Sequence, residues 1–252
     1  MRICTKVLPI LERLPPDFAA DICLVTVRRE QIETVLPDLA GATAIPRVVF
    51  LMNHAKVSEN LLAFPEPSRR ALAFPGIAGY RETLIIRYLD IPQQHTVVEE
   101  SALDVISLFR EAGFAVDAVQ DMDAWLQRHA VFITAMGGAL YENDCDALRL
   151  AQNLEGIRRF VVAVREGWTA QGSKGVRPAP FALRAILCWV PLRFSARYWS
   201  RLLASHGKIY FARHTRYAPR RWLRSQTTCK TSSAKGKHPD SRDCWPRSTP
   251  GT

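Results

Sequence analysis

The sequence predicts an α/β fold in which a parallel-sheet domain is followed by an all-helical one, and three observations predict it. Ile22 to Val27 is an almost unbroken, largely β-branched apolar run closed by Arg28. Such a run suits a strand buried on both faces of a parallel sheet. From Glu30 the apolar residues Ile32, Val35, Leu36 and Leu39 fall at helical spacing, with Gly41 where a helix stops, and Ile45 to Met52 is a second strand with Pro46 at its start. From Met122 onward the period turns helical and stays so. Strand, helix and strand make one βαβ unit, and ligands of such sheets collect at the carboxyl ends of the strands. Arg28 and Asn53 stand at those two ends.

Composition narrows the class. A chain of 252 residues with 48% hydrophobic residues is globular and holds one large domain or two ordinary ones. The most apolar stretch near the carboxyl end, Phe181 to Leu192, is short and broken by Arg184, against the ~20 apolar residues a membrane span needs. The amino terminus has no signal-peptide pattern, so the cytoplasm is the expected compartment. Six scattered cysteines, with no CxxC pair, fit a reducing environment, and six histidines with no HxxxH or HxH pair give no metal site. The net charge of +10 is uneven: residues 211–252 hold ten Lys or Arg against two Asp, a net +8, leaving +2 for the rest.

Taken in order, residues 1–19 contain no glycine, so the phosphate-binding GxGxxG turn expected upstream of a dinucleotide-binding sheet has no counterpart there. Val57 to Arg70 reads as a polar connection. Ala71 to Gly79 reads as a strand running into a glycine-bearing turn, and Thr83 to Leu89 and Thr96 to Val98 as antiparallel strands at a sheet edge. Ser101 to Ala112 is a helix capped by Ser101, with Leu103, Ile106, Leu108 and Phe109 as its buried side. Phe114 to Val119 is one more strand. Trp125, His129, Phe132, Ile133 and Met136 mark the next helix, Ala147 to Gly167 another, and Ala182 to Leu203 a third, broken near Pro191. The domains expected are residues 1–121 (sheet), 122–219 (helices) and 220–252, a basic tail too polar to order itself.

Several segments in this order resemble the ketopantoate reductase (2-dehydropantoate 2-reductase) family: LVTVRREQ (24–31), VVFLMNH (48–54), LAFPGIAGYRE (72–82), FREAGFAV (109–116), MDAWLQRHAVF (122–132), VREGW (164–168) and RYWSRLLAS (197–205). The resemblance implies a partial Rossmann domain binding NADPH, a helical domain, and a 2-oxo acid such as 2-dehydropantoate reduced between them. It also implies site roles. Arg28 would meet the cofactor's ribose phosphate, a sensible partner for a guanidinium. Asn53 would border the cofactor and the reacting centre, and Ala78 and Gly79 would pass close to the nicotinamide. Gln127 stands at the position of the family's catalytic lysine. A homo-oligomer is compatible with the resemblance.

The sequence departs from the family at definite places. The glycine loop and most of the first βαβ unit are missing, so no helix amides hold the pyrophosphate. Gln127 can donate a hydrogen bond but supplies neither a proton nor a charge, and Val131 stands where the family has an asparagine. Adjacent helical residues diverge by about 100°, so Arg128 and His129 do not replace the lysine, and His129 reads as a packed residue. The abrupt composition changes at both ends give the expectation of an amino-terminally truncated reading frame with a shifted or extended carboxyl end. The competing reading is a non-enzymatic protein that contacts nucleic acid or an anionic membrane through arginines interleaved with aromatics, as in RYWSRLL and RYAPRRW. Weighed against it, the aromatics pack a helical core and the arginines form its solvated face, which disfavours a nucleic-acid partner.

Overall fold

The computed structural model describes residues 10–207 apart from 54, 56, 63, 65, 83–84, 91–93 and 173–180. The expected tail, 220–252, lies outside the described residues. The first strand, β1 (Cys23–Val25), is followed by a 3-10 turn at Arg29–Gln31, helix α1 (Ile32–Gly41) and β2 (Val48–Leu51). The α1 periodicity is real, for Ile32, Leu36 and Leu39 are its buried residues. A short α2 (Val57–Asn60) and a 3-10 turn at Pro67–Arg69 interrupt what the sequence reads as plain connection, and β3 (Arg70–Phe74) follows.

These three strands are parallel and in register, with Val25 opposite Phe50 and Leu51 opposite Ala73. Beyond β3 the chain makes an antiparallel ribbon of β4 (Ile77–Glu82) and β5 (Ile85–Asp90), separate from the main sheet. It then returns as β6 (Thr96–Glu99), which pairs antiparallel with β3, and after α3 (Leu103–Glu111) the strand β7 (Val116–Val119) pairs parallel with β6. The five-stranded order is β1-β2-β3-β6-β7.

Four expectations are corrected here. Among the described residues β1 is the end strand of the sheet, and it is not buried on both faces: Leu24 is 47% exposed. The 96–98 strand is antiparallel as expected but lies inside the sheet, between β3 and β7. Ala78 and Gly79 belong to strand β4, the turn before them falling at Pro75 and Gly76. Helix α3 starts from Ala102 instead of Ser101 and buries Val105, Ile106 and Phe109, while Leu103 and Leu108 are exposed. The short amphipathic stripe simply sits about one position round from the face the sequence pattern picks.

The helices follow from Asp121, whose carboxylate accepts the Ala124 N–H at 2.8 Å and caps α4 (Met122–Tyr141). The 147–167 helix is two: α5 (Ala147–Gln152) and α6 (Leu154–Ala170), parted at Asn153, which caps α6 by accepting the Gly156 N–H at 2.8 Å. The last segment runs as α7 (Phe181–Arg184), a π-helical turn at Ala185–Trp189, a break at Val190 and Pro191, and α8 (Leu192–Gly207). Arg165 of α6 donates to the carbonyls of Leu187 and Val190, satisfying the end of that π turn.

One face of the sheet packs on α1 and the start of α4, burying Val48, Phe50, Met52, Leu72, Phe74, Trp125 and Leu126. The other face packs on α3 through Val49, Ala71, Ala73 and Val98. A separate core joins the rest of α4 to α5, α6 and α8 around Phe132, Met136, Phe160 and Trp199. α4 therefore belongs to both cores, its first turns to the sheet and its later turns to the helices.

Candidate functional site

Parallel pairing decides where the site residues stand. Val25 and Phe50 are register partners, and Arg28 lies three residues past the first and Asn53 three past the second. Both residues therefore follow the carboxyl ends of adjoining strands, and both are exposed. The Arg28 backbone N–H donates to Gln31 Oε1 at 3.0 Å, fixing the turn that leads into α1. The Met52 N–H donates to the Ala73 carbonyl at 2.9 Å and extends the ladder to the residue before Asn53.

Beside them β3 ends at Phe74, Pro75 and Gly76. A Cβ on Gly76 would lie 2.5 Å from backbone atoms of Gln94, His95 and Thr96, and its N–H donates to Thr96 Oγ1 at 3.2 Å. Only glycine lets β3 turn away this close to the chain entering β6. The ribbon that follows carries Ala78 opposite Leu89 and Gly79 opposite Tyr88.

Helix α4 closes over this edge. Asp123 Oδ1 accepts the Ser58 N–H at 3.1 Å, tying its first turn to the segment after β2. Trp125 and His129, one turn apart, stack 5.1 Å apart and 9° from parallel, and the Phe74 ring meets them at 4.9 and 4.5 Å. His129 is packed in this aromatic cluster. Gln127 lies about 200° round the helix from Trp125, half-buried, on the side away from Phe74. Its carbonyl accepts from Gln171 Nε2 at 3.2 Å, while Gln171 Oε1 is buried without a partner among the described residues. Next to it Arg128 is buried; it donates to the Gly172 carbonyl at 2.6 Å and accepts the Trp168 indole N–H on its own carbonyl at 2.9 Å. Burial, and then the charge of Arg184, hold the Arg128 guanidinium below its ordinary pKa. Arg128 thus fastens α4 to the end of α6.

Of the residues singled out in the sequence, the structure brings Arg28 and Asn53 together on one edge and carries Ala78 and Gly79 on the adjoining ribbon. Gln127 it sets on the opposite side of α4 from the face that meets the sheet. Sequence reasoning missed Gly76 and Asp123 as positioning residues. The Pro-Gly pair is a turn signal for the first, whereas no local pattern marks the second. Among the described residues no group of three or more His, Cys, Asp or Glu could hold a metal ion, and no helix is long and apolar enough to cross a membrane.

No family model and no curated protein matches the chain by sequence. Solved structures do match. D-mandelate dehydrogenase with NADH is similar at TM-score 0.50 and 11% identity, over 74% of this chain and 61% of that one. Its ternary structure with NADH and anilino(oxo)acetate is similar at TM-score 0.51 and 11% identity, over 76% of this chain and 60% of that one. The chain has the α/β fold of these dehydrogenases. It spans about three fifths of their length. A dimeric ketopantoate reductase from Staphylococcus aureus is also among the matches, at TM-score 0.49 and 10% identity over 86% of this chain and 78% of that one.

Proposed function

We propose that the chain is a reductase of the ketopantoate reductase type that binds NADPH at the carboxyl edge of β1 and β2 and acts on a 2-oxo acid. The observation that carries this reading is the parallel pairing of β1 and β2, after whose carboxyl ends Arg28 and Asn53 follow, where α/β sheets of this kind hold their ligands. The donor set fits the ribose phosphate of such a cofactor. Arg28 is an exposed guanidinium on a turn fixed by Gln31, suited to a ribose phosphate. Asn53 offers an amide donor and acceptor beside it, and the backbone at Ala78 and Gly79 borders the nicotinamide. When bound, the nicotinamide supplies the hydride.

The chain's own share of the chemistry is to orient the 2-oxo acid and meet the charge that grows on its carbonyl oxygen. At the position of the family's lysine stands Gln127, a neutral amide without a proton to give, on the side of α4 away from Phe74. Replacing a charge-assisted donor in this way costs ~3 to 4 kcal/mol, or about 100-fold to 1000-fold in rate. The test is single-turnover reduction of 2-dehydropantoate by NADPH, comparing the chain with Gln127→Lys. Slow turnover raised at least about 100-fold by the lysine supports the reading; equal rates remove Gln127 from the reacting centre, and no turnover by either removes the 2-oxo acid.

A further inference from the structure

We propose that the exposed face of α8 and the cleft beside it bind single-stranded nucleic acid, at a place separate from the sheet edge. The sequence reading sets the aromatics of this segment in a core and the arginines in solvent. The structure divides them differently. Trp199 is 2% exposed and packs in the helical core, but Phe194 and Tyr198 are 49% and 43% exposed.

Around the helix the pattern is regular. Arg193, Arg197 and Arg201 recur every four residues, and Phe194 and Tyr198 recur at the same interval one position on. Four residues advance about 6 Å along a helix and one residue turns about 100° round it, so the guanidiniums form one exposed row and the rings a second row beside it. A polynucleotide single strand carries its phosphates along one side and its bases along the other, and grooves that bind it combine basic side chains with aromatic stacking platforms. Where α8 meets the start of α6, Arg158, Arg193 and Arg197 line a cleft of about 200 Å³, with Leu154, Phe194 and Ala196 as its apolar wall. Arg158 also pairs with Glu155 at 3.4 Å and the Arg193 guanidinium lies 4.6 Å from the Phe194 ring centre, so the cleft offers an anion the Arg197 guanidinium and the remaining N–H groups of the other two. The charge is one-sided over a long stretch: residues 167–239 contain fifteen Lys or Arg and no Asp or Glu.

A membrane surface is the other polyanion. A helix that lies in a membrane interface buries its apolar face in lipid, and in α8 that face, with Ala196, Trp199 and Leu203, is already buried against the helical core. What remains outside is the arginine and ring strip.

The experiment is fluorescence anisotropy of a labelled oligo(dT) strand titrated with the full chain over a series of salt concentrations. We expect log K to fall linearly with log salt with a slope near −2 from this strip alone, at about −0.7 per phosphate. The triple variant Arg193→Ala, Arg197→Ala, Arg201→Ala, checked for its helix content by circular dichroism, should weaken binding at least about 10-fold and flatten the slope by about 2. The double variant Phe194→Ala, Tyr198→Ala should weaken binding by about 5-fold or more and leave the slope unchanged. Binding that all of these variants retain in full resides elsewhere in the basic chain and overturns the proposal. So does binding to phosphatidylserine vesicles in the absence of any to the oligonucleotide.

Discussion

The His129 imidazole lies 9° from parallel with the Trp125 indole, and Phe74 closes on both rings from the end of β3. Through this contact β3 and the first turns of α4 share one core, although they are far apart in sequence. Removing the Phe74 ring leaves a cavity at the junction, and large-to-small changes of this kind cost about 3 to 5 kcal/mol. Phe74→Ala is expected to lose that much in urea unfolding and to shift Trp125 fluorescence toward the red. A loss under about 1 kcal/mol would show that the junction collapses around the gap.

Gly76 and Gly41 make a contrasting pair. A methyl group on Gly76 meets three backbone atoms at 2.5 Å, whereas one on Gly41, the last residue of α1, meets nothing within 4 Å. Gly76→Ala is expected to cost about 1 to 3 kcal/mol, since backbone cannot swing aside as a side chain can. Gly41→Ala is expected to gain up to about 1 kcal/mol from reduced freedom of the unfolded chain. Thermal melts of the two variants check the order, and equal losses would contradict it.

Glu99, at the end of β6, accepts the Leu72 N–H at 3.0 Å. Burial pushes its carboxyl above the ordinary value of 4.5, a rise that the Leu72 bond, Arg70 and Arg47 partly oppose and Asp123 reinforces. The native state therefore holds this proton to higher pH than the unfolded state does. Glu99's contribution to stability is full below pH 4.5 and falls as pH rises through the raised native value. Glu99→Gln keeps an acceptor for Leu72 and removes the charge, so the difference in stability between variant and parent should grow in the variant's favour from pH 4.5 upward. Denaturant titrations at a series of pH values measure it; a difference that moves the other way would mean the carboxylate is stabilised in the fold.

Between α4 and α5 the chain passes through Asp144 and Cys145 with φ of 57° and 55°. A left-handed conformation costs a side-chain-bearing residue about 1 to 2 kcal/mol. Cys145→Gly is expected to raise the melting temperature and Cys145→Val to lower it. The reverse order would mean that the half-buried thiol contributes more through packing than the backbone loses.

Much of this fold was legible in the sequence, and the failures have physical causes. The apolar run at Ile22 to Val27 and the 3.6 period from Ile32 to Leu39 located β1 and α1, because strand and helix burial repeat at different intervals. The same run could not say that Leu24 faces solvent, since that depends on what packs over β1 and not on β1 itself. Asn153 was read through as part of one long helix, although asparagine is a capping residue, because the apolar period runs almost unbroken across it. That Arg28 and Asn53 follow the carboxyl ends of two parallel strands was readable from strand, helix and strand alone. The phase that turns Gln127 away from Phe74 was not, for it follows from the three-ring cluster, and that contact joins residues remote in sequence.

The most direct measurement is a thermal melt of the full chain with NADPH or NADH, for the parent and for Arg28→Ala. Ligand that binds only the native state raises stability by about 2.7 kcal/mol at a concentration 100 times its Kd. If Arg28 holds a ribose phosphate at the β1 and β2 edge, NADPH raises the melting temperature more than NADH does, and Arg28→Ala removes the difference. A cooperative melt that neither cofactor moves at millimolar concentration would contradict cofactor binding at this edge.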